Sequence, residues 1–113
     1  MQHLLRLTRG DLPAETSRPD PEKLISGDPV HRVWNLETRD RLYAGLWHST
    51  IGEWKVDYSE WEYVHILEGR SILVSEDGLE TTLNAGDSFV IRPGFRGSWR
   101  VVQPTLKDYV ILT

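Results

Sequence analysis

Cysteine is absent from the 113 residues, no apolar run approaches the length of a bilayer crossing, and the basic residues form no stripe. Without cysteine there is no disulfide framework, no thiolate metal cluster and no thiol nucleophile, and a reducing, cytoplasmic setting is expected. The start, MQHLLRLTRG, has an apolar run broken at Arg6 and no small-residue cleavage pattern, so it does not read as a signal peptide. With a formal net charge of −4 and 13 Lys and Arg scattered along the chain, a phosphate-backbone partner finds no footprint. No nucleic-acid and no membrane partner is expected. Sustained helical periodicity, internal repeats and low-complexity tracts are missing too, and only Asp20 to Ser26 reads as a candidate helical turn.

Aromatics are plentiful. Five Trp and four Tyr are a heavy load for a chain of this size, and such rings line a core, a pocket or an interface. The length suits one domain that buries about two thirds of its unfolded surface. Residues 1–29 read as a short apolar strand, His3 to Thr8, followed by an irregular arm that holds four of the six prolines. A strand cut off by such an arm is a candidate for exchange with a second subunit. Residues 30–113 read as the domain proper. Short alternating runs, among them HRVWNL, LYAGLWHS, EWKVDYS, EYVHILEG, RSILVSE, DSFVIRP, SWRVV and DYVIL, are separated by turns at Gly52, Gly69, Asp77-Gly78, Ala85-Gly86-Asp87 and Pro93-Gly94. This spacing predicts an all-β sandwich or barrel, with Asp77-Gly78 as the strongest hairpin turn.

Glu62 and Gly69, separated by six residues, and Gly86-Asp87 followed by the Arg92-Pro93-Gly94 turn occur in the order of the two cupin motifs. From Gly27 to Leu112 the chain resembles the cupin superfamily, in particular its ureidoglycine-aminohydrolase-type domains, sometimes described as a domain of unknown function. The pieces that carry the resemblance are GDPVHRVWN, EWKVDY, EYVHILEG, EDG, AGDSFVIRPGFRGSW and LKDYVIL. It implies a double-stranded β-helix, or jelly roll, and a homodimer formed by strand exchange or sheet packing. It also implies where metal-binding cupins place their histidines: His-any-His before the glutamate, which selects Val56 and Tyr58 or Lys55 and Asp57, and a third after the Pro-Gly turn, which selects Gly97. None is histidine. Glu62 alone cannot hold a transition metal, which needs about three or four converging ligands, so no metal cofactor is expected.

Strand alternation chooses between the registers. Trp54, Val56 and Tyr58 share one face and Lys55 and Asp57 the other; burying the first set is favourable, whereas burying an unpaired Lys and Asp is costly. The same alternation groups Gly97, Trp99 and Val101, which places Trp99 near the space of the missing metal. Glu62 shares its face with Val64 and Ile66, so it is either a candidate general acid or base or a structural carboxylate that pairs with an amide or arginine. Lys107 and Tyr109 lie on the last strand, where the resemblance implies a lysine and an aromatic. Lys107 either reaches Glu62, anchors an acidic ligand or extends to the rim, and the rim is favoured. His3, His31, His48 and His65 have no metal-ligand spacing; His65 faces away from Glu62, while His48 is a possible pocket residue. A metal site rebuilt from His48, Glu53 and Glu62, and an anion clamp of Arg92, Arg96 and Arg100, are lesser alternatives.

The expected protein is therefore a metal-free barrel that binds a small polar or carboxylated molecule through Trp54, Val56, Tyr58, Trp99, Lys107, Tyr109 and Glu62. One alternative is an enzyme on small nitrogen-containing metabolites, similar to ureidoglycine aminohydrolase, with Glu62 as acid or base. Another is a non-catalytic structural or regulatory subunit whose barrel is packed shut.

Overall fold

Alternation is realised as strands nearly everywhere from Glu15 onward. The computed structural model describes residues 3–113. Its elements are β1 (Glu15–Ser17), β2 (Leu24–Gly27), β3 (His31–Arg39), β4 (Leu42–Ser49), β5 (Gly52–Asp57), β6 (Trp61–Ser75), β7 (Glu80–Asn84), β8 (Ser88–Ile91) and β9 (Arg96–Leu112). No α-helix forms among the described residues, so none is long and apolar enough to cross a membrane.

The spine is a ribbon of β6 and β9, antiparallel partners from Trp61 opposite Leu112 to Ser75 opposite Gly97. Each half of the ribbon recruits different neighbours. The first half of β6 pairs with β8 and the second with β7, while the second half of β9 pairs with β4 and the first with β5. One layer thus runs β1-β3-β4-β9-β6-β8 and the other β2-β5-β9-β6-β7, the same two long strands serving both. This is the all-β barrel that the turn spacing predicts, in the jelly-roll form that the resemblance implies. Between the layers the core is Trp54, Val64, Ile66, Leu73, Leu83, Ile91, Trp99 and Val101, each side chain worth about 1.5–3 kcal/mol when fully buried.

Turn chemistry holds at three predicted positions: Gly78, Gly86 and Gly94 all have positive φ at the β6–β7, β7–β8 and β8–β9 connections. Gly69 is different. It lies inside β6 at φ +85°, among register shifts between Ile66 and Ser71, and a Cβ there would lie 1.9 Å from the Pro104 carbonyl oxygen. The ladder to β9 continues through this bend, so EYVHILEG and RSILVSE form one strand instead of two, as do SWRVV and DYVIL. Gly52 is likewise not a turn but the first residue of β5, packed on the Pro29 ring. The β3–β4 turn uses Asp40 at φ 53°, a residue that tolerates the left-handed region, and no glycine marks it.

The amino-terminal arm also departs from expectation. Residues His3 to Thr8 form no strand, whereas β1 and β2 fall inside the supposedly irregular stretch and pair within their own chain, with β3 and β5. Asp20 closes a turn by accepting from the Lys23 and Leu24 amides, and a strand, not a helix, follows. Every residue of β1 and β2 is exposed, so backbone pairing holds them at the sheet edges. Because β1 belongs to one layer and β2 to the other, Arg18 to Lys23 crosses between the layers like a strap.

Candidate functional site

Beneath that strap the layers part around a cavity of about 480 Å³, within the range that holds small molecules. Its walls are Val33, Trp47, Trp54, Val56, Tyr58 and Ile111, with Glu62, Lys107 and Tyr109 deeper in, and the strap lends Arg18, Pro19, Asp20 and Lys23 to the mouth. Alternation on β5 puts Trp54 and Val56 inside while Lys55 and Asp57 are exposed, so the inward register holds. Glu62, Val64 and Ile66 are all buried on one face of β6.

Lys107 does not extend to the rim. Its side chain is only 6% exposed, and its Nζ donates to Glu62 Oε2 at 2.9 Å. The register explains this: Lys107 stands opposite Trp47 on β4 and Ile66 on β6, which places its stem on the inner face of the barrel. Tyr58 donates its hydroxyl to Glu62 Oε1 at 2.9 Å, so the carboxylate has a donor on each oxygen. The Tyr58 phenol is pushed well above its usual pKa by burial and by the Glu62 carboxylate. Tyr109 lends its ring to the cavity but turns its hydroxyl to Asn35 Oδ1 at 2.8 Å; burial, then Glu62 and Glu15, push its pKa up to about 12.

Trp99, expected as a visible wall, lies behind the cavity instead. It is 2% exposed, and its indole N–H donates to Ser71 Oγ at 3.0 Å, which in turn is bonded to Thr105 Oγ1. Its ring meets Trp47 edge-on with centroids 5.4 Å apart. Trp47 and His31, not singled out from sequence, complete the cluster: the His31 ring lies tilted, with its centroid 4.4 Å from that of Trp54 and 5.3 Å from that of Trp47. Trp47 is fixed inward by standing opposite Lys107, which alternation on β4 alone could not show because Ala44 and Leu46 on its other face are buried as well.

The other candidates disperse. His48 does not line the cavity, and Glu53 bonds Ser98 and Arg100, so no site forms from His48, Glu53 and Glu62. His65 pairs with Asp108 on the outer face. Arg96 meets Asp57 and Glu76, Arg100 meets Glu53 and Glu80, and Arg92 lines a separate cavity, so the arginines form no clamp. Among the described residues no three His, Cys, Asp or Glu side chains converge. Gly97 cannot accept a ligand-bearing side chain in this backbone, because a Cβ there would lie 1.9 Å from the Val74 carbonyl oxygen. With a lysine ammonium on the one remaining carboxylate, the donor set does not fit a transition metal.

His31 provides a test of this packing. Burial, and secondarily the charge of Lys107, lower its pKa from 6.5 to about 4, and its Nε2 has no protein partner. The unfolded chain therefore takes up a proton near pH 6.5 that the folded chain refuses until about pH 4, so stability falls with pH across that window and is flat above it. Allowing for partial solvent screening of the ring, about 1–2 kcal/mol should be lost. Denaturant titrations of wild type and His31→Phe at neutral pH and near pH 4 should show a larger loss in the wild type, His48 contributing to both because burial lowers its pKa as well; equal losses in the two proteins would contradict it.

A family model described as the EutQ-like cupin domain matches residues 36–109. A protein of unknown function of the DUF861 family from Pseudomonas syringae pv. tomato superposes with TM-score 0.81 at 32% identity over 93% of this chain. This chain spans 46% of that protein's length. The Clostridium difficile EutQ protein superposes with TM-score 0.68 at 17% identity, covering 74% of this chain and 63% of its own. A DUF861 family protein from Thermotoga maritima gives 0.55 at 23% identity, covering 85% and 96%. The last two likenesses speak to the fold alone. No curated protein matches the chain.

Proposed function

The chain belongs to the EutQ-like cupin domain family, and from that premise we propose that it is a cupin barrel that binds a small polar or carboxylated molecule without a metal ion. The observation that carries the reading is the open cavity of about 480 Å³ with a buried ion pair at its floor and Trp47, Trp54, Val33 and Val56 as walls. A packed-shut barrel would leave no such space. Indole and aliphatic walls take the apolar body of a ligand, while Lys107, Tyr58 and Glu62 meet its polar group. The mouth is of mixed charge, with Arg18, Lys23 and Lys55 beside Asp20, Asp57 and Glu60, so an acid would be selected at the Lys107 floor and not at the collar.

An acid–base role for Glu62, of the kind the resemblance to ureidoglycine aminohydrolases implies, asks that carboxylate to leave Lys107 or Tyr58 during each cycle. The binding reading needs no such exchange and ranks first. A cytoplasmic homodimer is the proposed setting; the exposed apolar side chains of Leu79 and Val90 near the β7 and β8 edges are its candidate contact.

A thermal-shift screen of keto, amino and ureido acids tests the proposal. A ligand at 100 times its dissociation constant stabilises by about 2.7 kcal/mol. Val56→Trp, which fills the cavity from its wall, should abolish the shift while the variant remains folded. A shift that survives Val56→Trp unchanged would place binding elsewhere, and no shift with any acid would favour a purely structural barrel.

A further inference from the structure

The environment of the Lys107 ammonium is that of a cation site. Its Nζ lies 2.9 Å from Glu62 Oε2, 4.6 Å from the centroid of the Trp47 ring and 4.5 Å from that of Trp99. Both rings are within the roughly 6 Å at which an indole face attracts a cation. The two indoles, tilted 63° to one another, form a wedge, and the carboxylate closes it.

A second layer holds the wedge in place. Trp99 is pinned through its indole N–H to Ser71, Ser71 is bonded to Thr105, and Thr105 Oγ1 in turn reaches the Gln103 carbonyl. Trp47 is backed by Trp54 at 6.0 Å and by His31 at 5.3 Å. Glu62 is steadied by the Tyr58 hydroxyl. These groups therefore stand ready for a positive charge independently of the lysine stem that delivers it. The hydrogen bond on Trp99 and the aromatic packing around Trp47 fix the two rings before the cation arrives, which lowers the ordering cost of binding.

The donor chemistry specifies the cation. One carboxylate and two π faces repay the desolvation of an ammonium, which needs one strong acceptor and tolerates aromatic neighbours. They cannot repay that of a divalent transition metal, which requires three or four nitrogen, sulfur or oxygen donors. The carboxylate involved, Glu62, is the glutamate of the first motif on which the resemblance to cupins rests.

We propose that the Glu62–Trp47–Trp99 wedge is an organic-ammonium site occupied by the chain's own Lys107 as a tethered cation. The site takes primary alkylammonium ions in place of the lysine head and excludes divalent metals. It does not depend on the outer cavity having a ligand.

Removing the tether tests this. Lys107→Ala deletes the atoms from Cγ to Nζ, which are those of propylammonium. The variant should melt about 10–20 °C below the wild type. Propylammonium should restore at least half of that loss saturably, while potassium chloride at equal ionic strength and the bulkier tetramethylammonium should not. The rescue should vanish in Lys107→Ala/Glu62→Gln and weaken in Lys107→Ala/Trp99→Leu. Absence of rescue, or equal rescue by potassium chloride, overturns the proposal. If Lys107→Ala does not fold alone, refolding yield with and without propylammonium becomes the readout, and an unchanged yield counts against the site. On the wild type, titration with manganese, nickel and zinc should show no binding that Glu62→Gln abolishes; stoichiometric, Glu62-dependent metal binding would also overturn it.

Discussion

Replacing Glu62 with glutamine should lower the folding free energy by about 3–5 kcal/mol, although the side chain keeps its size and one acceptor oxygen. Glu62 and Lys107 are both almost fully buried, with side chains 3% and 6% exposed, so water cannot screen the ammonium left behind. The loss measures an orphaned charge more than the worth of the pair, because bringing two ions out of water offsets most of their attraction. Removing both ions tells these apart. Glu62→Leu/Lys107→Met should be clearly more stable than the sum of its single variants predicts, with a coupling of at least about 1.5 kcal/mol. Denaturant midpoints on the four proteins measure it. Additive losses would mean that the two groups do not share one electrostatic environment.

Gly97→Ala should be nearly as damaging, at about 3–5 kcal/mol, for a purely steric reason. Its new methyl would sit 1.9 Å from the Val74 carbonyl oxygen and 2.9 Å from the Ser75 α-carbon. Those atoms belong to the β6–β9 ladder, where Gly97 pairs with Ser75, and β5 holds Gly97 from the other edge through Val56. Neither strand can yield without breaking the ribbon. Gly86→Ala is the matched control: φ is +93° there but no atom lies within 4 Å of the added methyl, so only the backbone term of about 1–2 kcal/mol remains. Equal losses at the two positions, read from thermal or denaturant melts, would defeat the steric explanation. The same contact means that Val56→His, Tyr58→His and Gly97→His together should yield an unfolded chain and not a metal site.

What the sequence revealed and what it hid differ in range. Inward Trp54, Val56 and Glu62 followed from strand alternation, a rule that acts between adjacent residues. The turns at Gly78, Gly86 and Gly94 were legible because glycine alone enters positive φ without cost. Lys107 was placed wrongly because its burial depends on a partner 45 residues away, and a lysine read alone belongs in water. Trp47 escaped notice, and Trp99 was assigned to the wall instead of the layer behind it, because depth within a barrel is set by how two sheets curl together. Gly69 was mistaken for a turn: as a strand-internal bend it has the same positive φ, and only the partner strand distinguishes the two. The arm's two strands were hidden among prolines, since three or four exposed residues carry no apolar alternation.

The shared ribbon has a consequence for biosynthesis. Both layers take their central strand from Arg96–Leu112, so a nascent chain still lacking these residues has β4, β5 and β6 with no common partner. The barrel cannot close piecemeal as the ribosome proceeds, and Glu62 waits without its ammonium until residue 107 has emerged. Until then the apolar faces of β5 and β6 stay open to solvent, which makes that interval the one in which chaperone binding or aggregation competes with folding.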